Sequence, residues 1–137
     1  LIMVNHLIHG ESLLHIMSNN SDKKVFFVNG EMEVSEREKI INMMENGDNV
    51  ICIAMASIFS TGINIKNLPN IMFAGLGKSF IRIVQSIGRG LRLHANKERL
   101  RICDCCDNTT YSLQHSIARQ EIYTLEEIPW KVKEINL

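Results

Sequence analysis

Five short runs rich in apolar residues, LIMV at 1–4, KKVFFVNG at 23–30, ending at Gly30, NVICIAMA at 49–56, NIMFA at 70–74 and LRICDC at 100–105, are separated by segments with helical periodicity. A strand half-exposed to water alternates apolar and polar residues, whereas one covered by helices on both faces reads as a continuous run. The alternation of such strands with helices predicts an α/β fold, a doubly wound parallel sheet with helices on both faces. The first helix is expected from about Glu11 to Met17, with Leu13, Leu14 and Met17 inward. Ser35 and Glu38 form an S-x-x-E capping box for a second helix, whose stripe is Ile40, Ile41 and Met44. Gly47 falls just past its end, where a left-handed C-cap belongs. From about Ser112 the chain changes character. SLQHSIARQEIYTLEEI reads as one long polar helix ended by Pro129 and Trp130, so residues 1–111 are expected to form the domain and 112–137 a C-terminal helical extension.

A chain of 137 residues with 45% hydrophobic and 22% charged content is ordinary for one globular domain, and no apolar run reaches bilayer length. It opens directly on an apolar strand, with neither initiator methionine nor signal peptide, and is expected to be part of something longer. Cys52 lies in an apolar run, and Cys103, Cys105 and Cys106 share the stretch RICDCCD. Successive strand residues point to opposite faces, and no second ligand pair stands at zinc-like spacing, so no metal site is expected. Reduced thiols in a cytoplasmic protein are the expectation. His6, His9 and His15 read as surface or capping groups rather than a metal triad, and Met43, Met44 and Met72 as core filler.

Formal net charge is zero, but the basic residues are not evenly spread. Seven of the fifteen lie between Lys78 and Arg101, against the single acid Glu98. One surface should be locally positive and suited to phosphate-bearing partners. Within this region stands QSIGRGLR, Gln85 to Arg92. At about 100° per residue, Gln85, Arg89 and Arg92 fall within roughly 60° on a helix, opposite the apolar Phe80, Ile83, Val84, Ile87 and Leu91. Gly88 and Gly90 each cost about 1 kcal/mol inside a helix, which points to close backbone approach or to a loosening helix end. The outward face is compatible with a solvated surface or with a fork of guanidiniums for phosphate oxygens.

Ligands of an open parallel sheet bind outside the carboxyl ends of its strands. The loops there are NHLIHGES, NGEMEVSE and SIFSTGINIKNLPN, the last clustering Ser60, Thr61, Gly62 and Asn64. The STGIN loop, one further strand and then QSIGRGLR resemble motifs V and VI of the second RecA-like motor domain of superfamily 2 helicases, with the Q-x-x-G-R-x-x-R pattern matched at each fixed position. The first strand with NHLIHGE resembles motif IV, and FVNGEMEVSERE, with Arg37, the motif IVa region. The helix carrying His115, Arg119 and Tyr123 also resembles the C-terminal helix of one member of that superfamily. The likeness of the motor domain covers about residues 1 to 107.

The resemblance implies a RecA-like fold and roles for particular residues. It assigns Arg89 and Arg92 to the γ-phosphate of ATP as arginine fingers, Gln85 to orienting them, and Gly62 and Asn64 to the nucleotide edge. Asn5, Gly30 and Thr61 fall to the nucleic-acid backbone. An arginine finger can be worth roughly 10³ to 10⁵ in rate, because charge develops on the γ-phosphoryl oxygens. Asn64 departs from the pattern, since the family usually carries an acid there. No G-x-x-x-x-G-K-[ST] loop occurs in the sequence, so ATP and Mg²⁺ are expected to be held mainly by an N-terminal RecA-like domain of the same protein. The implied activity is that of an ATP-dependent DNA helicase or translocase working on single-stranded or branched DNA in recombination or replication, with no membrane partner. A non-catalytic RecA-like module that binds DNA or a partner, and the motor subunit of a restriction enzyme, are the alternatives.

Overall fold

A computed structural model describes residues 1–47, 49–59, 65, 68–77 and 99–135. Along the chain these form β1 (Ile2–Val4), α1 (Leu7–Asn19), β2 (Lys24–Val28), α2 (Val34–Glu45), β3 (Val50–Met55), α3 (Ala56–Phe59), β4 (Asn70–Ala74), β5 (Arg101–Cys105) and α4 (Thr110–Leu125). The strands make one sheet in the order β2-β3-β1-β4-β5, and every described pairing is parallel. This is the doubly wound sheet that the continuous apolar runs predict, and it is the RecA-like arrangement.

Side chains of alternate parity separate onto the two faces. On one, Ile2, Phe27 and Ile53 are buried and meet Leu13, Leu14 and Met17 of α1. On the other, Met3, Val28, Ala54, Ile71 and Phe73 form the larger core, with Ile40 and Met44 from α2 and Tyr123 from α4. Helices therefore cover both faces.

Several local features differ from the sequence expectation. Helix α1 begins at Leu7, four residues before Glu11, and runs through Gly10. A Cβ on Gly10 would stand 2.3 Å from Phe27 Cζ, so the glycine is there because the helix backbone lies directly on a buried aromatic ring. Helix α2 starts at Val34 with Glu33 in the cap position and no side-chain cap bond, so the Ser35/Glu38 capping box does not form. Ser35 already lies inside the first turn. Gly47 does take the left-handed conformation expected of it, with φ of 77°. Strand β2 stops at Val28, two residues short of Gly30.

The C-terminal helix ends at Leu125, before Pro129. The backbone N–H groups of Glu127 and Ile128 return to the carbonyls of Thr124 and Tyr123, and Glu127 has φ of 55°. This is a Schellman ending built on a residue other than glycine. Trp130 Nε1 donates to Thr124 Oγ1 at 3.0 Å, folding the tail back along the helix.

Candidate functional site

The parallel sheet sends the chain out at one carboxyl edge, and two of the expected contact residues stand there. Asn5 directly follows β1, and Gly30 lies in the turn after β2. In the sheet order β3 separates these strands, so the strand that leads toward residues 60–64 leaves between them. The Gly30 turn is held from both sides. Asn29 Oδ1 accepts from the N–H groups of Glu31 and Met32, and Arg37 Nη2 reaches back to the carbonyl of Met32 at 3.2 Å. Among the described residues, and apart from its chain neighbours, no heavy atom lies within 4 Å of the position a Cβ would take on Gly30, so that side is open for a ligand to approach the backbone. Thr61, Gly62, Asn64, Gln85, Arg89 and Arg92 lie outside the described residues.

The same edge carries a site that sequence reasoning did not assign. A cleft of about 140 Å³ opens between β1, β4 and β5, lined among others by Asn5, Gly77, Tyr111, Ser112 and His115. Its floor is fixed by the inward stripe of α4, in which His115, Arg119 and Tyr123 recur every four residues and are all buried. Arg119 pairs bidentately with Asp104 of β5, Nε to Oδ2 at 2.7 Å and Nη2 to Oδ1 at 2.8 Å. Its remaining amino group, Nη1, donates to the carbonyl of Leu76 at 2.7 Å. Tyr123 adds a hydroxyl bond to Asp104 Oδ2 at 2.9 Å.

Arg119 is only 2% exposed, so its charge is tolerable because the carboxylate meets it in fork geometry. Burial alone would lower the guanidinium pKa, but the hydrogen bond and charge of Asp104 outweigh it and hold the group above its ordinary value. Burial, reinforced by Asp104, pushes the Tyr123 phenol well above its ordinary range, so it stays protonated and donates. The network ties α4 to the edge strand and to the exit of β4, one residue before Gly77.

His115 behaves differently from its two stripe-mates. It is 6% exposed and stacks at a tilt on Tyr111, with ring centroids 4.1 Å apart. Its ring nitrogens have no hydrogen-bond partner among the described residues. The one buried side-chain nitrogen there without a partner is Arg37 Nε, so the His115 nitrogens reach the open cleft instead. A Cβ on Gly77 would stand 3.8 Å from Asn5 Nδ2 and 3.9 Å from His115 Nδ1, so the missing side chain leaves the space between these groups open. The spacing of His115, Arg119 and Tyr123 is the signal that could have found this floor, but a polar stripe does not register as an inward face. Among the described residues no three His, Cys, Asp or Glu groups are placed to hold a metal ion, and no helix is long and apolar enough to cross a membrane.

A model of the helicase conserved C-terminal domain matches residues 1–94. The ATP-dependent DNA helicase uvsW of Enterobacteria phage T4 is 32% identical over 152 residues, a match covering 99% of this chain and 30% of that protein. The crystal structure of T4 UvsW aligns with a TM-score of 0.71 at 33% identity, covering 91% of this chain and 28% of the other. Domain 2 of the DEAD-box helicase Mss116p, bound to an RNA duplex, aligns with a TM-score of 0.66 over 97% of this chain and 52% of the other. At 15% identity, that likeness is one of fold alone. The chain thus spans about 30% of the length of the T4 relative.

Proposed function

The chain belongs to the helicase conserved C-terminal domain family, and from that premise we propose that it is the second motor domain of an ATP-dependent DNA helicase or translocase acting on branched recombination or replication intermediates. The observation that carries this reading is the Q-x-x-G-R-x-x-R pattern at 85–92, which lies inside the matched family region and follows the STGIN loop by one strand.

In this reading ATP and Mg²⁺ are held mainly by a preceding RecA-like domain. Arg89 and Arg92 enter the cleft between the domains and stabilise charge on the γ-phosphoryl oxygens, while Gln85 keeps them aligned. Gly62 and Asn64 meet the nucleotide edge, Asn64 as an amide where the family usually has an acid. Asn5, Gly30 and Thr61 grip phosphates of one nucleic-acid strand through amide and hydroxyl contacts, which fix position without reading sequence. Closure and reopening of the two domains around each ATP then shift that grip along the strand. The protein works in the cytoplasm, the host's if it is phage-encoded.

The test compares the full-length protein with residues 1–137 alone. DNA-stimulated phosphate release is expected from the first and none from the second, which lacks a phosphate-cradling loop of the G-x-x-x-x-G-K-[ST] type. Turnover by the isolated chain would overturn the split active site.

A further inference from the structure

We propose that the cleft between Asn5 and the first turns of α4 holds a phosphate group of a bound nucleic-acid strand, with His115 and Asn5 as its side-chain donors. The proposal rests on the reading that this domain grips nucleic acid, and extends that grip to a part of the chain beyond the 1–94 family match.

Four observations converge on a phosphate. Helix α4 is 16 residues long, and Tyr111 and Ser112 of its first turn line the cleft. Thr109 Oγ1 accepts from the Ser112 N–H, but the N–H groups of Thr110 and Tyr111 come too early in the helix for an intrahelical acceptor. A helix start of this kind favours an anion. Second, the His115 side chain is 6% exposed, makes no hydrogen bond among the described residues and lines the same space. A polar group placed this way is available to a ligand. Third, no carboxylate is among the described lining residues, and Asp104 beneath the cleft is neutralised by Arg119 and bonded by Tyr123, though Asp107 stands next to the lining residue Cys106. Fourth, the volume of about 140 Å³ is well below the roughly 300 to 1,000 Å³ of pockets that enclose whole small molecules, so a phosphate fits where a complete nucleotide does not. Gly77 supplies the room, because a methyl group there would stand between Asn5 and His115.

The test uses the full-length protein, a fluorescent single-stranded oligonucleotide and a salt titration. Two variants probe the site. His115→Phe keeps a ring against Tyr111 and removes the nitrogens. Gly77→Ala adds a methyl at 3.8 to 3.9 Å from its neighbours, an ordinary contact distance, so it narrows the gap between Asn5 and His115 without a clash. Each is expected to bind the oligonucleotide roughly tenfold more weakly. The log–log salt slope should stay near that of the unmodified protein, because neither donor is a Lys or Arg that neutralises a phosphate. In the unmodified protein with ¹⁵N-labelled histidine, the His115 ring signal should shift on adding the oligonucleotide and stay in place on adding ATP or inorganic phosphate at equal ionic strength.

If the protein binds DNA in a salt-dependent way but both variants keep its affinity, the cleft assignment is wrong and the wider nucleic-acid reading stands. An unmoved His115 signal at saturating DNA overturns it equally, even where His115→Phe fails to fold. A signal moved by ATP or phosphate and not by DNA assigns the cleft to a free anion and rejects the strand. Absence of any DNA binding removes both readings together.

Discussion

Helix α1 lays Leu13, Leu14 and Met17 on the face made by Ile2, Phe27 and Ile53, whereas α4 turns His115, Arg119 and Tyr123 toward a sheet edge that carries Asp104. Both helices dock on the same five strands, one through apolar contact and the other through a buried ion pair. The row of paired residues across the sheet makes the contrast visible: Val28, Ala54, Met3 and Phe73 are apolar, and the next position, on edge strand β5, is Asp104. Apolar burial is non-directional, whereas the fork of Arg119 fits Asp104 in one orientation only. An inward-pointing charge also discourages a foreign strand from adding to the β5 edge. The polar half of the domain is therefore specified by geometry, and its clamp on the Leu76 carbonyl extends that geometry to the segment entering residues 78–98.

The contrast can be broken most strongly at Arg119. Arg119→Ala leaves Asp104 and the Tyr123 hydroxyl facing each other without the cation, and should destabilise the fold by about 3 to 5 kcal/mol, the usual result of removing one member of a buried pair. Asp104→Leu combined with Arg119→Met should recover most of that loss in denaturant unfolding. A double variant as unstable as the single one would mean that the pair contributes more than mutual neutralisation.

On the apolar side, Gly10→Ala puts a methyl into the Phe27 ring and should cost about 1 to 3 kcal/mol through overpacking, despite the better helix propensity of alanine. Thermal unfolding of Gly10→Ala beside Gly10→Ala/Phe27→Leu checks the cause, because the smaller side chain should relieve the clash. The smallest effect is at the end of α4. Glu127 holds a left-handed φ that glycine adopts freely, so Glu127→Gly should stabilise the protein by up to about 1 kcal/mol, read as a rise in the unfolding midpoint.

The same contrast explains what could be read from the sequence. The five strands were legible because burial on both faces leaves continuous apolar runs, and the likeness to superfamily 2 helicases was legible because STGIN and QSIGRGLR carry fixed residues at fixed spacing. The start of α1 was not, because the sequence alone does not show that the backbone at Gly10 lies against Phe27. Nor was the inward face of α4, since a stripe of histidine, arginine and tyrosine looks solvated unless the carboxylate of Asp104 is known to meet it. Asp104 itself was masked by its cysteine neighbours in RICDCCD, which invite a question about metals instead. Of the expected site, Asn5 and Gly30 stand at the carboxyl edge as the strand order requires. Gly77 and His115 were missed because a cleft formed by three strands and a distant helix has no signature in any one segment.

The central claim is that Arg89 and Arg92 act on ATP held by another domain, and it is tested most directly by DNA-stimulated ATP turnover of Arg89→Ala and Arg92→Ala in the full-length protein, each measured beside its unfolding midpoint. Stabilisation that exists only in the transition state predicts turnover lower by roughly 10³-fold or more, with stability within the ±0.5 kcal/mol typical of surface substitutions and nucleotide-free DNA affinity little changed. A variant that melts early yet turns over normally once folded would contradict the account, because the face carrying both arginines would then be structural.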